Sequence, residues 1–208
     1  DVALDVQLDP DADIDMSTDA GPDAVVDAEL DAVVDAEPDA PAVDPDTLRV
    51  FVTSTAFSGS LGGVEGADER CANAAGVFEL ERDGARFIAW VSTADDDAVD
   101  RMPDEGSWRL LDEEAGVAFM SAAQLRTSPN LPIDVTEAGM RLDTATVWTG
   151  TADSGAASTR DCTGWTSADA DGRGTYGAID STANWTDRGL LDPCNDTKHL
   201  YCFEVPES

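Results

Sequence analysis

Four cysteines, Cys71, Cys162, Cys194 and Cys202, constrain this chain more than any other feature. Two of them enclose the stretch "CNDTKHLYCFE", with seven residues between. Structural zinc sites favour Cys or His ligands two to four residues apart. Cys194 and Cys202 are spaced too widely for that, and Cys71 and Cys162 have no close ligand neighbour. The single histidine, His199, is far in sequence from Cys71 and Cys162, which argues against an activated thiol. Two disulfides are the expectation, and with them an oxidising compartment outside the cytosol. Three connectivities are open, and spacing does not choose among them.

Charge narrows the partners. The chain carries 44 acidic against 12 basic residues, a net charge of -32. Such a surface repels phosphate backbones and anionic lipids, so nucleic acid and bare membrane are poor partners. Cations and basic partners suit it better. No apolar run approaches the roughly 18 residues that cross a bilayer. The chain does not begin with Met and shows no signal peptide. It is expected to be a mature fragment whose export signal, with or without a lipid anchor, lies upstream.

Half of the charge lies in residues 1–46, where 14 Asp and 2 Glu meet no Lys or Arg. "DAVVDAEL" is followed directly by "DAVVDAEP", and four prolines interrupt the stretch that contains them. Aspartates four apart destabilise a helix, and proline breaks one. A disordered, self-repelling spacer is expected at 1–46, followed by one domain at 47–208.

From residue 48 the composition changes. "LRVFVTSTAF", "ARFIAWVST", "ATVWTG" and the closing "HLYCFEV" are rich in β-branched and aromatic residues and read as strands. "WRLLD" and "GVAFMSA" read as shorter strands, and "DDDAVDRM" as a short helix. "VEGADERCANAAGV" sets Ala67, Cys71, Ala74 and Ala75 on one helical face, with Gly76 as its end. Short antiparallel strands, one main helix and long loops give an α+β fold class.

Several of these stretches resemble a known family. The helix cysteine in "ADERCANAAG", the mid-chain "DCTGW" and the closing "CNDTKHLYCFE" resemble the four-cysteine frame of the C-type-lectin-like fold. The likeness is closer to its endostatin-like branch, and closer still to a bacterial family found in secreted proteins of myxobacteria and leptospires. "RVFVTSTAFSGSLGGVEGADERC", "FIAWVST", "TVWTGTADSG" and "DCTGWTSADADGRGTYG" carry it across nearly all of 48–204. The resemblance implies disulfides Cys71–Cys202 and Cys162–Cys194, and a first strand beside the last. Sugar-binding members hold calcium with an acid- or amide-Pro-Asn/Asp triplet and a Trp-Asn-Asp triplet. Here "SPN" and "NWTD" depart from both. Nor do the eleven dispersed arginines match a heparin-binding cluster.

Two groups of side chains are candidates for a site. Trp165 and Trp185 lie among Thr, Ser and Asp, as sugar-stacking indoles often do. The alternative is that they cap a loop-rich region poor in other large apolar groups. In "DADGRGTYG", Asp169 and Asp171 alternate before Gly172, and Asp161 and Asp180 could complete a calcium site. An EF-hand register from Ser167 puts Ala178 where a bidentate acid is needed, so a polar turn competes with calcium. No nucleophile elbow, zinc-protease motif or phosphate loop occurs. The expectation is a monomeric, cofactor-free, non-enzymatic module. It would be secreted or on a bacterial cell surface and bind extracellular carbohydrate or protein. A secreted hydrolase using Asp or Glu, or a purely structural surface module, are the alternatives.

Overall fold

The computed structural model describes residues 47–112 and 116–207. The acidic stretch 1–46, and with it the expected spacer, lies outside the described residues. The rest is mixed α+β. In chain order the elements are β1 (Leu48–Val52), α1 (Gly63–Val77), β2 (Ala85–Ala89), β3 (Trp108–Arg109), β4 (Val117–Phe119) and β5 (Thr146–Trp148). They continue with α2 (Cys162–Trp165), β6 (Arg173–Ala178), β7 (Leu191–Pro193) and β8 (Tyr201–Pro206). The acidic "DDDAVDRM" stretch contributes a 3-10 turn, Ala98–Arg101.

Five strands form one sheet in the order β2-β8-β1-β3-β4, and β5-β6-β7 form a second. β8 runs antiparallel to both its neighbours, with Cys202 opposite Phe51 and Ala89. β1 and β3 pair in parallel, which departs from the all-antiparallel expectation. The two sheets join where Trp148 N–H donates to the His199 carbonyl and His199 N–H to Thr146.

The period-2 alternation of the central strands sorts their side chains onto two cores. Val50, Val52, Ile88, Trp90, Tyr201 and Phe203 point to one side, where Trp108, Phe119 and Trp185 meet them. Phe51, Phe87, Ala89 and Cys202 point to the other, under Ala67, Cys71 and Ala75 of α1. Strands buried on both faces read as nearly continuous apolar runs, which is why these were visible in the sequence. Glu204 breaks the run. It is buried, and accepts from Arg49 Nε at 2.9 Å and Arg82 Nε at 2.6 Å.

Cys71 is bonded to Cys202 and Cys162 to Cys194, with Cα separations of 5.4 and 5.6 Å. These are the two pairs the resemblance implies. The first ties α1 to β8, and the second ties α2 to the residue after β7.

α1 does not stop at Gly76. It continues to Val77 and ends in a Schellman arrangement: Glu79 N–H donates to Gly76, and Leu80 N–H to Ala75. Glu79 takes the positive-φ position (φ 53°) usually given to glycine. α2 is a left-handed turn. Cys162, Thr163, Gly164 and Trp165 have φ of 51°, 60°, 61° and 63°. Its surroundings hold it: Asp161 Oδ1 accepts from Gly164 N–H, and the Trp165 carbonyl accepts from Leu61 and Gly62.

Candidate functional site

Trp165 and Trp185 do not form a surface, which corrects the stacking expectation. Both are completely buried. Trp165 donates its indole N–H to the Ser92 carbonyl at 2.8 Å and lies 6.0 Å from the Trp148 ring. Trp185 donates to Thr127 and packs on Trp90, Phe119 and Tyr201. Buried indoles need a partner for the N–H, and backbone carbonyls supply it here. Thr186, next to Trp185, serves the interior too: its Oγ1 accepts from the Trp90 indole, and its carbonyl accepts from Thr149 Oγ1.

The four aspartates are not gathered either. Asp161 spends Oδ1 on Gly164 and Oδ2 on Ala94 N–H. Asp169 Oδ1 accepts from Asp171 N–H, closing a turn on its own backbone. Asp171 and Asp180 are exposed. Asp180 acts on Tyr201, whose phenol is pushed well above its ordinary value by burial first and by Asp180 and Asp134 next. Among the described residues no group of three or more His, Cys, Asp or Glu is placed to hold a metal ion. Residues expected to be a loop, 173–177, instead belong to β6, the middle strand of the second sheet.

Lys198 and His199 are also committed internally. The Lys198 ammonium meets Asp192 at 2.5 Å and lies 4.2 Å from the Tyr176 ring centre and 4.9 Å from that of Trp148. His199 Nδ1 is bonded to the Thr53 carbonyl, while Ser54 Oγ donates to Glu137 rather than to an imidazole.

The arrangement with most to offer a partner is a groove of about 390 Å³ beside the second half of α1. Arg70, Ala74 and Val77 recur at helical spacing next to the buried Ala67-Cys71-Ala75 stripe, so they form the adjoining face. Phe78 follows at the helix end. The segment after β1 closes the groove with Phe57, and Glu137 joins from a distant turn. Val77 and Phe78 are 76% and 45% exposed, a large apolar ledge for a chain this acidic. Glu137 is buried and accepts from Ser54 N–H at 2.8 Å as well as from the Ser54 hydroxyl. Arg70 lies over the Phe57 ring, 4.8 Å from its centre.

None of these groove residues stood out in the sequence. The available signal was small: Val77 and Phe78 are two large apolar side chains just past a helix face that Ala and Cys had already filled. Arg70, 13 residues from Phe57 and 67 from Glu137, needed the fold to meet them. No protein-family model matches the chain, and no curated protein matches it.

Proposed function

We propose that this chain is an exported, monomeric binding module of the C-type-lectin-like, endostatin-like kind, acting at a cell surface or outside the cell, and that it binds a protein segment. Two disulfides support the oxidising compartment. No helix among the described residues is long and apolar enough to cross a membrane. The mixed α+β architecture and the tie between helix and last strand support the family likeness. The observation that carries the binding reading is the Val77–Phe78 ledge on a mostly apolar groove, set against two loop tryptophans that are both inside. Exposed apolar side chains clustered on a groove mark interaction sites. Sugar recognition by ring stacking would use exposed indoles, so a protein segment fits better than carbohydrate.

The test applies the labelled protein to a peptide array and a glycan array. Binding to peptides, lost in Phe78→Asp with the melting temperature unchanged, is the expected result. Glycan binding that survives Phe78→Asp would overturn the reading.

A further inference from the structure

Five of the eleven arginines in this acidic chain form ion pairs. Arg49 and Arg82 hold Glu204, Arg101 holds Asp68, Arg126 holds Asp100, and Arg141 holds Asp112 and Asp134. Arg70 is different. It is half-buried in the groove, and no carboxylate pairs with it among the described residues. Its Nε is buried and has no hydrogen-bond partner there. One Nη reaches the Ser60 carbonyl at 3.5 Å, the limit of a hydrogen bond. The Phe57 ring supports the flat face of the guanidinium and leaves its donor edge as the polar feature on that wall.

A planar guanidinium with unused donors matches a carboxylate in two-pronged geometry. The net charge of -32 penalises a dianion such as phosphate more than a single carboxylate. Glu137, the groove's own carboxylate, is turned to Ser54. The lining also holds Thr53, Ser54, Thr55 and Asn73, but its large exposed side chains are Val77 and Phe78, so the group that carries the carboxylate buries most area there if it is apolar. The last residue of a peptide supplies both on one Cα. An internal Asp or Glu would have to lead chain in and out of a small groove. Exposed Glu69, next to Arg70 in α1, and exposed Glu79, just past the helix end, favour basic residues upstream of that terminus.

We infer that the groove captures the C-terminal residue of a partner peptide, its free carboxylate on Arg70 and its apolar side chain on the Val77–Phe78 ledge. This inference rests on the binding-module reading above.

The experiment is an isothermal and NMR titration of the full chain. The probes are a lysine-containing hexapeptide ending in phenylalanine as the free acid, the same peptide as its C-terminal amide, and N-acetylphenylalanine. A charge-assisted pair should favour the free acid over the amide by about tenfold or more. In Arg70→Gln the two forms should bind alike. Shifts should centre on Phe57, Ala74 and Phe78. Equal binding of acid and amide by the unaltered protein would overturn the inference while leaving an apolar groove. N-acetylphenylalanine binding as tightly as the peptide would overturn it in favour of a small organic acid. No binding of the free acid, with Phe78-dependent ligands still found on the array, would overturn it alone. Loss of those array ligands as well would remove the binding module itself. The acid–amide comparison needs no variant, so it stands even if Arg70→Gln fails to fold.

Discussion

Thr163→Gly should stabilise this protein, and Gly164→Ala, one residue on, should destabilise it. Thr163 sits at φ 60°, ψ 57° and Gly164 at φ 61°, ψ 34° in the left-handed turn α2. A side chain in that conformation brings Cβ against the following carbonyl, at about 1–2 kcal/mol per residue, and a β-branched one lies at the upper end. Glycine removes that term but gives back about 0.4–1 kcal/mol through the freer unfolded chain. Thr163 is exposed, and its hydroxyl makes no hydrogen bond among the described residues, so little else is lost. The net is a gain of about 1 kcal/mol, or about 2–4 °C in melting temperature for a domain of this size. At Gly164 an added Cβ meets nothing within 4 Å, so the alanine variant isolates the backbone term. After the offset from the stiffer unfolded chain, it should lose about 1 kcal/mol. Urea unfolding followed by tryptophan fluorescence, with calorimetric melting beside it, measures both. If Thr163→Gly lowers stability as Gly164→Ala does, the left-handed turn is wrong and the account of α2 fails.

Removing one partner of the Glu204 cluster by Glu204→Ala should cost about 3–5 kcal/mol in urea unfolding, because two guanidinium groups lose their counter-charge. A cost below about 1 kcal/mol would show that they do not depend on it. Loop-closure entropy predicts that losing Cys162–Cys194, which spans 32 residues, costs about 4 kcal/mol, and losing Cys71–Cys202, which spans 131, about 5. Cys→Ala pairs measured under identical conditions would contradict this if the shorter bridge proved the costlier. Partial desolvation and the nearby Asp187 push the carboxyl of the exposed Asp153 above its ordinary value. The folded state then holds its proton to higher pH than the unfolded chain. The charged form therefore penalises folding, increasingly as pH rises through the carboxylate range. Asp153→Asn should raise the melting temperature at pH 7 and have no such effect near pH 2. A gain of equal size at both would exclude the charge as its cause.

The central strands and α1 could be read from the sequence because their chemistry repeats at the period of the structure. β1, β2 and β8 are apolar on both faces, and α1 carries Ala67, Cys71 and Ala75 at four-residue intervals. β6 was hidden. Its sequence, RGTYGA, looks like a turn, yet the glycines answer to close approach. A Cβ on Gly174 would stand 2.8 Å from the Trp148 ring and 2.9 Å from Cys162 Sγ. Trp165 and Trp185 were misplaced for a related reason. Thr and Ser beside them suggest a wet surface; most of those hydroxyls are indeed at the surface or close their own turns, and only Thr186 turns inward, to the Trp90 indole, while the two rings themselves are buried. The groove was the least legible part, since Phe57, Arg70, Phe78 and Glu137 share no pattern along the chain. Even the end of α1 was deceptive: Gly76 invited a stop, and Glu79 makes it.

β8 lies between β2 and β1, and it is the last strand described. During vectorial synthesis or passage through a narrow pore, everything before residue 201 arrives first. Until β8 arrives, β1 and β2 have no shared neighbour, Cys71 has no bonding partner, and Phe203 is missing from the aromatic cluster of Trp90, Trp108 and Phe119. The order of emergence thus opposes the order of assembly. Contacts made entirely before residue 201, such as the β5-β6-β7 sheet and the Cys162–Cys194 bond, do not need β8; the central sheet closes last, around its own final strand.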